Sequence, residues 1–157
     1  MAHMDDDLDR RIIELLAANG RMSYTDLAKA TGLSTSAAHQ RVRRLEERGT
    51  IRGYVALLDP ESIGLPLSAF VSVKPFDPAA PDDVPERVAK FPQVESCYSV
   101  AGDENYILLV RVSSPSALES LLADIRTAAN VSTRTTVVMS TPFEGRPPST
   151  VPAGEEN

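Results

Sequence analysis

The sequence predicts an α+β fold in two parts, a helical N-terminal third followed by a region where strands and helices alternate. Apolar residues recur at helical spacing three times within the first 50 residues, and each run ends at a glycine. A break containing proline and glycine follows at Asp59–Pro66. Beyond it, apolar runs of strand length alternate with two amphipathic segments in the order β-α-β-β-α-β.

The first two predicted helices are short. The first runs over about Asp7–Ala18, with aspartates near its start, where the helix dipole favours negative charge. Ser23 begins the second helix, with Asp26 three residues later as a weak capping box. Gly32 ends that helix, because the following turn needs a residue that tolerates positive φ. Leu33 is then predicted to insert into the core.

The third predicted helix runs over Ser34–Gly49, where the serine can cap the start and the glycine can adopt a left-handed conformation at the end. Ala38, Val42 and Leu45 fall at i, i+4 and i+7 and form a narrow apolar stripe. The side chains that project from the other side are polar: Thr35, Ser36, His39, Gln40 and Arg43. Such donors can read base edges in a DNA major groove. Taken alone, the segment fits a solvated surface helix equally well.

The order helix, short helix, glycine turn and basic helix is typical of a helix-turn-helix, with the third helix in the position that enters the groove. Ile51–Leu58 reads as a β-strand, which predicts a winged variant or a strand that leads out of the domain. We therefore expect residues 5–58 to form a DNA-binding domain and residues 59–66 to form a hinge linker.

The arginines of the third helix allow two roles. Ser36, His39, Gln40 and Arg43 are the candidates for reading bases. Three further arginines either contact phosphates or brace this helix against the first one: Arg41, Arg44 and Arg48. For Arg41 a salt bridge inside the domain is as good an interpretation. Ser34 could cap the helix and also offer its hydroxyl to a phosphate.

The second part predicts a ferredoxin-like βαββαβ domain over residues 67–141. Its expected strands and helices are Leu67–Val73, helix Asp82–Phe91, Val94–Ala101, Tyr106–Val112, helix Pro115–Ala129 and Val131–Met139. Helices cover one face of such a sheet. Tyr106–Val112 is apolar on both alternating sets, so the other face should also be covered, most simply by another subunit. Residues 142–157 are rich in proline, glycine and polar side chains and are expected to be a disordered tail.

Composition limits the class of protein. The chain has 157 residues, 42% hydrophobic and 24% charged, which is normal for a soluble globular protein. Cys97 is the single cysteine, so a disulfide framework or a Cys-rich zinc site is excluded and a reducing, cytoplasmic location is expected. No apolar run approaches the roughly 20 residues that span a bilayer. The acidic N-terminus does not resemble a secretory signal.

Charge is unevenly distributed. The net charge of −6 argues against nucleic acid when taken over the whole chain. Residues 1–50, however, hold eight basic and eight acidic residues, so the whole negative excess lies beyond residue 50. Salt screens charges beyond roughly 8–10 Å. A local basic helix can therefore bind phosphates on an acidic protein, while the acidic remainder suppresses non-specific binding.

Three motifs resemble one family. They are LDRRIIELLAANGR at Leu8–Arg21, LSTSAAHQRVRRLEERGTIRGYVALLDPESIG at Leu33–Gly64, and VESCYSVAGDENYILLVRV at Val94–Val112. In this order and spacing the chain resembles the leucine-responsive and asparagine-responsive (Lrp/AsnC, feast/famine) transcriptional regulators over about residues 5–140. The resemblance implies a homodimer, often assembled as four dimers into an octamer. It also implies a C-terminal domain that binds a small amino-acid effector.

The resemblance places the effector site near the Gly-Asp turn, at contacts between dimers. The candidates here are Ala101, Gly102, Asp103, Glu104, Asn105 and Tyr106, with Ser99, Thr133 and Thr135 on strands expected to border the site. Backbone N–H groups of the turn can accept an effector carboxylate, and the acidic side chains can meet its ammonium group. The family often has an aromatic residue at Glu104 and Asp at Asn105, so Asn105 lacks a charge that could pair with that ammonium group. From the residues alone, Gly102–Asn105 is also good sequence for an ordinary turn.

These features predict a sequence-specific DNA-binding transcriptional regulator, not an enzyme, whose oligomeric state or DNA binding responds to an amino acid. An enzyme is poorly supported, because Cys97 has no histidine near it and no metal cluster or phosphate loop occurs. No cofactor and no membrane partner is expected. The alternatives are an effector-independent architectural DNA-binding protein and a winged-helix regulator of the antibiotic-resistance type. The βαββαβ half argues against the latter.

Overall fold

The computed structural model describes residues 7–149. Over these residues the elements follow in the order α1 Asp7–Ala18, α2 Tyr24–Thr31, α3 Thr35–Glu47, β1 Leu67–Pro75, α4 Val84–Val88, β2 Val94–Ser99, β3 Tyr106–Val112, α5 Pro115–Ala129 and β4 Val131–Val137. The described chain divides into two compact units. One contains residues 7–57 with residues 143–149, and the other contains residues 58–142.

Local signals in the sequence set the three N-terminal helices. Ser23 caps α2 and Ser34 caps α3, each accepting a bond from the backbone N–H three residues on. Gly32 ends α2 with φ 70°, and Gly49 follows α3 with φ 73°. The predicted helix-turn-helix is confirmed. Its core is a single cluster of apolar side chains: Ile12, Leu16, Leu27, Ala28, Ala38, Val42 and Leu45.

The predicted strand Ile51–Leu58 is wrong. The segment is extended but pairs with no strand of the described chain, so no wing is formed. Val55 is 87% exposed and Leu57 is 84% exposed. The composition of the segment suits a strand, but a strand also needs a neighbour whose N–H and C=O groups complete its hydrogen bonds.

The C-terminal unit is a four-stranded antiparallel sheet in the order β2-β3-β1-β4. Val71 lies opposite Leu108 on β3 and opposite Thr135 on β4. This order with two crossing helices confirms the predicted ferredoxin-like fold. Both helices pack on one face, where Val84 and Val88 of α4 and Ile125 of α5 join the strand side chains in one core.

The opposite face of the sheet is apolar and open. Phe70 and Tyr98 are exposed there, and Ile107 and Leu109 of β3 are half-buried. Ile107 lies between Ser72 and Tyr98 in one row across the sheet. No helix or strand of residues 58–142 lies on this face. Its cover by another subunit stays a prediction.

Several predicted bounds need correction. The helix expected over Asp82–Phe91 is limited to Val84–Val88, because Pro85 stands at its start and Pro92 disfavours helical backbone at the residue before it. β2 ends at Ser99 and β4 ends at Val137, each two residues earlier than expected. Residues 142–149 contain no helix or strand, and residues 150–157 of the expected disordered tail lie outside the described residues.

Candidate DNA-binding and effector-binding sites

The polar face of α3 is available to a ligand. Ser36, His39, Gln40 and Arg43 are exposed, while Ala38 is turned inward into the helical core. The local sequence produces this division, since the apolar stripe fixes which side of α3 faces α1 and α2. The predicted base-reading residues therefore share one solvent-facing surface.

Neighbouring side chains hold part of this surface in place. The His39 ring packs edge-on against Tyr24 of α2, with centroids 4.6 Å apart and planes at 86°. The Arg43 Nε donates to Glu47 Oε1 at 2.8 Å, one helical turn further on. Thr35 and Arg44 are also exposed. Tyr24 was missed from the sequence, because its contact with His39 depends on the angle between two helices.

The start of α3 offers a side-chain hydroxyl, that of Ser34. The Ser34 Oγ accepts a hydrogen bond from the Ala37 N–H at 3.2 Å and lies 3.3 Å from the Ser36 Oγ. The positive end of the helix dipole lies at this point, which favours an anion such as a phosphate. Ser34 thus caps the helix, and its contact with phosphate stays a prediction.

Two arginines, Arg41 within α3 and Arg48 at its C-cap, brace the helix against α1. The Arg41 Nη1 donates to the buried carboxylate of Asp9 at 2.8 Å, and the Arg48 Nη2 lies 3.8 Å from the same carboxylate. Asp9 is 4% exposed. Of the two roles considered for Arg41 and Arg48, phosphate contact and bracing against α1, the structure shows the bracing contact. Their contact with phosphates stays a prediction.

The segment that follows α3 is hydrogen-bonded to the end of that helix. The Tyr54 hydroxyl donates to Glu46 Oε1 at 2.9 Å, and burial followed by this hydrogen bond raises the pKa of Tyr54 to about 12. The Tyr54 ring also lies 3.4 Å from where a Cβ on Gly20 would stand.

An apolar groove of about 490 Å³ lies beside α1, lined in part by Ile13, Leu16 and Val55.

A polar, solvent-open pocket of about 230 Å³ lies at the turn between β2 and β3. Its lining is Asp82, Ser99, Val100, Ala101, Gly102, Glu104, Asn105 and Tyr106. The structure therefore brings together most of the predicted effector-binding residues. Asp103 does not line the pocket. Thr133 and Thr135 lie on β4, at the opposite edge of the sheet from β2, and do not line it either.

Backbone hydrogen bonds hold the turn against the sheet. The Val100 N–H donates to the Asn105 carbonyl at 3.0 Å, and the Asn105 N–H donates to the Val73 carbonyl of β1 at 3.1 Å. A Cβ placed on Gly102 would meet no atom within 4 Å. The space above this glycine is therefore open, and a ligand can approach the backbone there.

Two side chains from distant parts of the chain reach the residues of this turn: Asp82 lines the pocket, and Arg134 contacts one of its lining residues. The buried Tyr106 hydroxyl donates to Asp82, and this bond, followed by burial, raises the pKa of Tyr106 to about 12. Arg134 of β4 forms an ion pair with Glu104. Neither Asp82 nor Arg134 was predicted, because only the tertiary fold brings them to the turn.

Other kinds of site find no support in the described residues. Between residues 7 and 149, no three His, Cys, Asp or Glu side chains are grouped so that they could hold a metal ion. Over the same residues, no helix has both the length and the apolar character needed to cross a membrane.

Fold and sites together define the class: a helix-turn-helix transcriptional regulator with a separate ligand-binding domain. Residues 6–46 match the AsnC-type helix-turn-helix domain, and residues 68–148 match the Lrp/AsnC ligand-binding domain. The chain therefore belongs to the Lrp/AsnC family of transcriptional regulators.

Relatives match along nearly the whole chain. The regulator LrpA of Mycobacterium tuberculosis is 54% identical, over 90% of this chain and 94% of its own length. The leucine-responsive regulatory protein of Escherichia coli is 39% identical, over 85% of this chain and 84% of its own. A feast or famine regulatory protein from M. tuberculosis, solved with L-methionine, superposes with a TM-score of 0.89 at 54% identity and covers 90% of this chain and 97% of that one. A Neisseria meningitidis regulator, also solved with L-methionine, gives a TM-score of 0.80 at 30% identity, with 88% and 92% covered.

Proposed function

We propose that this protein binds specific double-stranded DNA through α3 and responds to an amino acid bound at the turn between β2 and β3. The observation that supports the proposal best is that one chain carries both an exposed polar face on α3 and a polar pocket at that turn. We assign residues 5–58 to DNA binding, residues 59–66 to a hinge and residues 67–141 to effector binding and assembly.

DNA recognition is proposed to use the exposed face of α3. Gln40 can bond an adenine with two hydrogen bonds, and Arg43 can do the same with a guanine. Arg43 is already paired with Glu47, an exposed contact that water and DNA can replace at low cost. Arg44 and the Ser34 end of the helix are assigned to phosphates, which position the helix and carry no sequence information.

Effector binding is proposed for the zwitterion of a free amino acid. Two relatives were solved with L-methionine, which makes it the first probe to use. The turn carries backbone donors next to open space at Gly102, suited to the carboxylate of an amino acid. Acidic and amide side chains around the pocket suit its ammonium group.

The protein is proposed to form a homo-oligomer, built from dimers and extending to an octamer, because both units expose apolar side chains. The open sheet face carries Phe70 and Tyr98, and the extended segment carries Val55 and Leu57, all of them exposed. Exposed apolar surface of this kind is typical of subunit contacts. A dimer would place two α3 helices on one DNA molecule, so a pseudo-palindromic operator is expected, with half-sites about one turn apart or a multiple of it.

Coupling between effector and DNA is proposed to act through assembly and the hinge. An effector shifts an equilibrium only by its different affinity for the two states. An amino acid that favours one assembly would thereby change the spacing of the DNA-binding domains. The alternative is an architectural protein without effector control, and Asn105 together with the Glu104–Arg134 ion pair favours it, since both reduce the negative charge available to a ligand.

The test begins with selection of bound genomic fragments and measurement of operator affinity by fluorescence anisotropy. Gln40→Ala and Arg43→Ala should each reduce discrimination between the operator and scrambled DNA by about 1–3 kcal/mol. Arg11→Ala, which also removes one exposed arginine from this domain, is the matched control and should preserve discrimination. Equal discrimination in all four proteins would contradict the assignment of α3.

A second experiment addresses the effector. Thermal shift with each of the twenty amino acids, followed by sedimentation and operator titration with any that bind, should reveal a change in assembly or in DNA affinity. Specific DNA binding combined with no response to any amino acid would favour the architectural alternative.

A further inference from the structure

The geometry points to Asp82 as the residue that binds the ammonium group of the effector, a role that sequence reasoning had given to the turn itself. The inference rests on the proposed amino-acid sensing and goes beyond it by assigning one pole of the ligand to one side chain.

The pocket holds two carboxylates with different surroundings. Glu104 pairs with the guanidinium of Arg134, so this pair has no net charge. Asp82 accepts a hydrogen bond from the Tyr106 hydroxyl, which is neutral, so that contact leaves the negative charge of Asp82 in place. Asp103, the third carboxylate near the turn, does not line the pocket. The negative charge that remains within the pocket is therefore centred on Asp82.

Position and stiffness favour the same residue. Asp82 comes from the loop before α4, so its carboxylate meets the turn from a different element of the fold. Tyr106 is buried and begins β3, and its hydroxyl fixes the direction in which Asp82 points. A carboxylate held by a rigid neighbour loses little conformational freedom when it binds a cation.

The two poles of an amino acid then have separate partners. Backbone N–H groups beside Gly102 suit the carboxylate, and Asp82 suits the ammonium group. The side chain of the bound amino acid would leave the pocket toward open space. Residues outside the pocket would then discriminate between one amino-acid side chain and another. Asp82 would set the requirement that the ligand carries a free ammonium group.

The test measures L-methionine binding to the full chain by isothermal titration calorimetry. A hydrogen bond to a charged group contributes about 1.5–3 kcal/mol, so Asp82→Asn should weaken binding by roughly tenfold or more. Asp82→Glu keeps the charge and should recover part of the loss. Asp77→Asn removes the same charge from the same loop outside the pocket, keeps an acceptor for the Ala79 N–H, and should bind as the wild type does.

A second ligand separates ammonium binding from a general structural role. The compound 4-(methylthio)butanoate is methionine without its ammonium group. The wild-type protein should prefer methionine over this compound by tenfold or more, and Asp82→Asn should lose most of that preference. A variant that loses affinity for both compounds to the same extent would overturn the inference, because that is the result expected of a merely structural residue.

The remaining outcomes distinguish this inference from the proposed function. If Asp82→Asn and the wild type bind methionine equally, the inference is overturned while amino-acid sensing stands. If the wild type binds none of the twenty amino acids, both are overturned. Circular dichroism of each variant establishes that the fold is retained.

Discussion

Replacing Asp9 with alanine should strongly destabilise the helical unit. Asp9 is 4% exposed and accepts a hydrogen bond from Arg41, whose side chain is 21% exposed, and Arg48 lies near the same carboxylate with 36% exposure. Removing one partner of a fully buried ion pair costs about 3–5 kcal/mol. Water can reach both guanidinium groups after the substitution, so we expect roughly 2–3 kcal/mol here.

The assay is urea unfolding followed by circular dichroism at 222 nm, where α1, α2 and α3 contribute. Asp7→Ala is the matched control, since Asp7 lies two residues away in the same helix turn and pairs with Arg10 while 90% exposed. Because the Asp7 carboxylate is open to water, its pair with the partly buried Arg10 contributes less than about 1 kcal/mol. A double-mutant cycle with Arg41→Ala should give a coupling energy of at least about 1 kcal/mol. Equal effects of the two aspartate substitutions, or no coupling, would refute the bracing role.

Three further predictions follow from local structure. Gly32→Ala should cost about 1 kcal/mol in urea unfolding, because φ of 70° is strained for any residue with a Cβ; an unchanged midpoint would contradict this. Ser34→Ala should cost about 1 kcal/mol by removing the cap of α3, and Ser34→Thr should cost less. Absorbance at 295 nm should show Tyr54 and Tyr106 titrating near pH 12, and each Tyr→Phe variant should remove one such component. Since these folded pKa values lie above the usual value near 10, their contribution to stability is complete below pH 10 and is lost as pH rises through about 12.

Sequence reasoning succeeded where the determinants are local. Ser34 and Gly32 set helix ends through contacts within a few residues, and both ends were predicted correctly. β3 and α5 were predicted with their observed bounds, because apolar periodicity is strong in each. The strand expected over Ile51–Leu58 failed, since pairing depends on a second strand that local residues do not specify.

In the candidate sites, too, the features that depend on local sequence were predicted and those that depend on tertiary contacts were not. The polar face of α3 could be predicted because helical geometry fixes which side chains point together. The Asp9–Arg41 contact joins residues 32 positions apart, and it was open to two interpretations until the packing of α1 against α3 was known. Asp82 was missed because a loop residue 24 positions from Tyr106 carries no periodic signal.

The bracing of α3 also separates two tasks that one short helix must perform. Asp9 with Arg41 and Arg48 sets the position of the helix, while Ser36, Gln40 and Arg43 face outward with few ties to the core. Under the proposed function, mutations at the outward positions would therefore change which operator is bound without unfolding the domain. Operator preference in such a protein could diversify rapidly after gene duplication, and a library that varies these three positions would be a practical route to regulators with new targets.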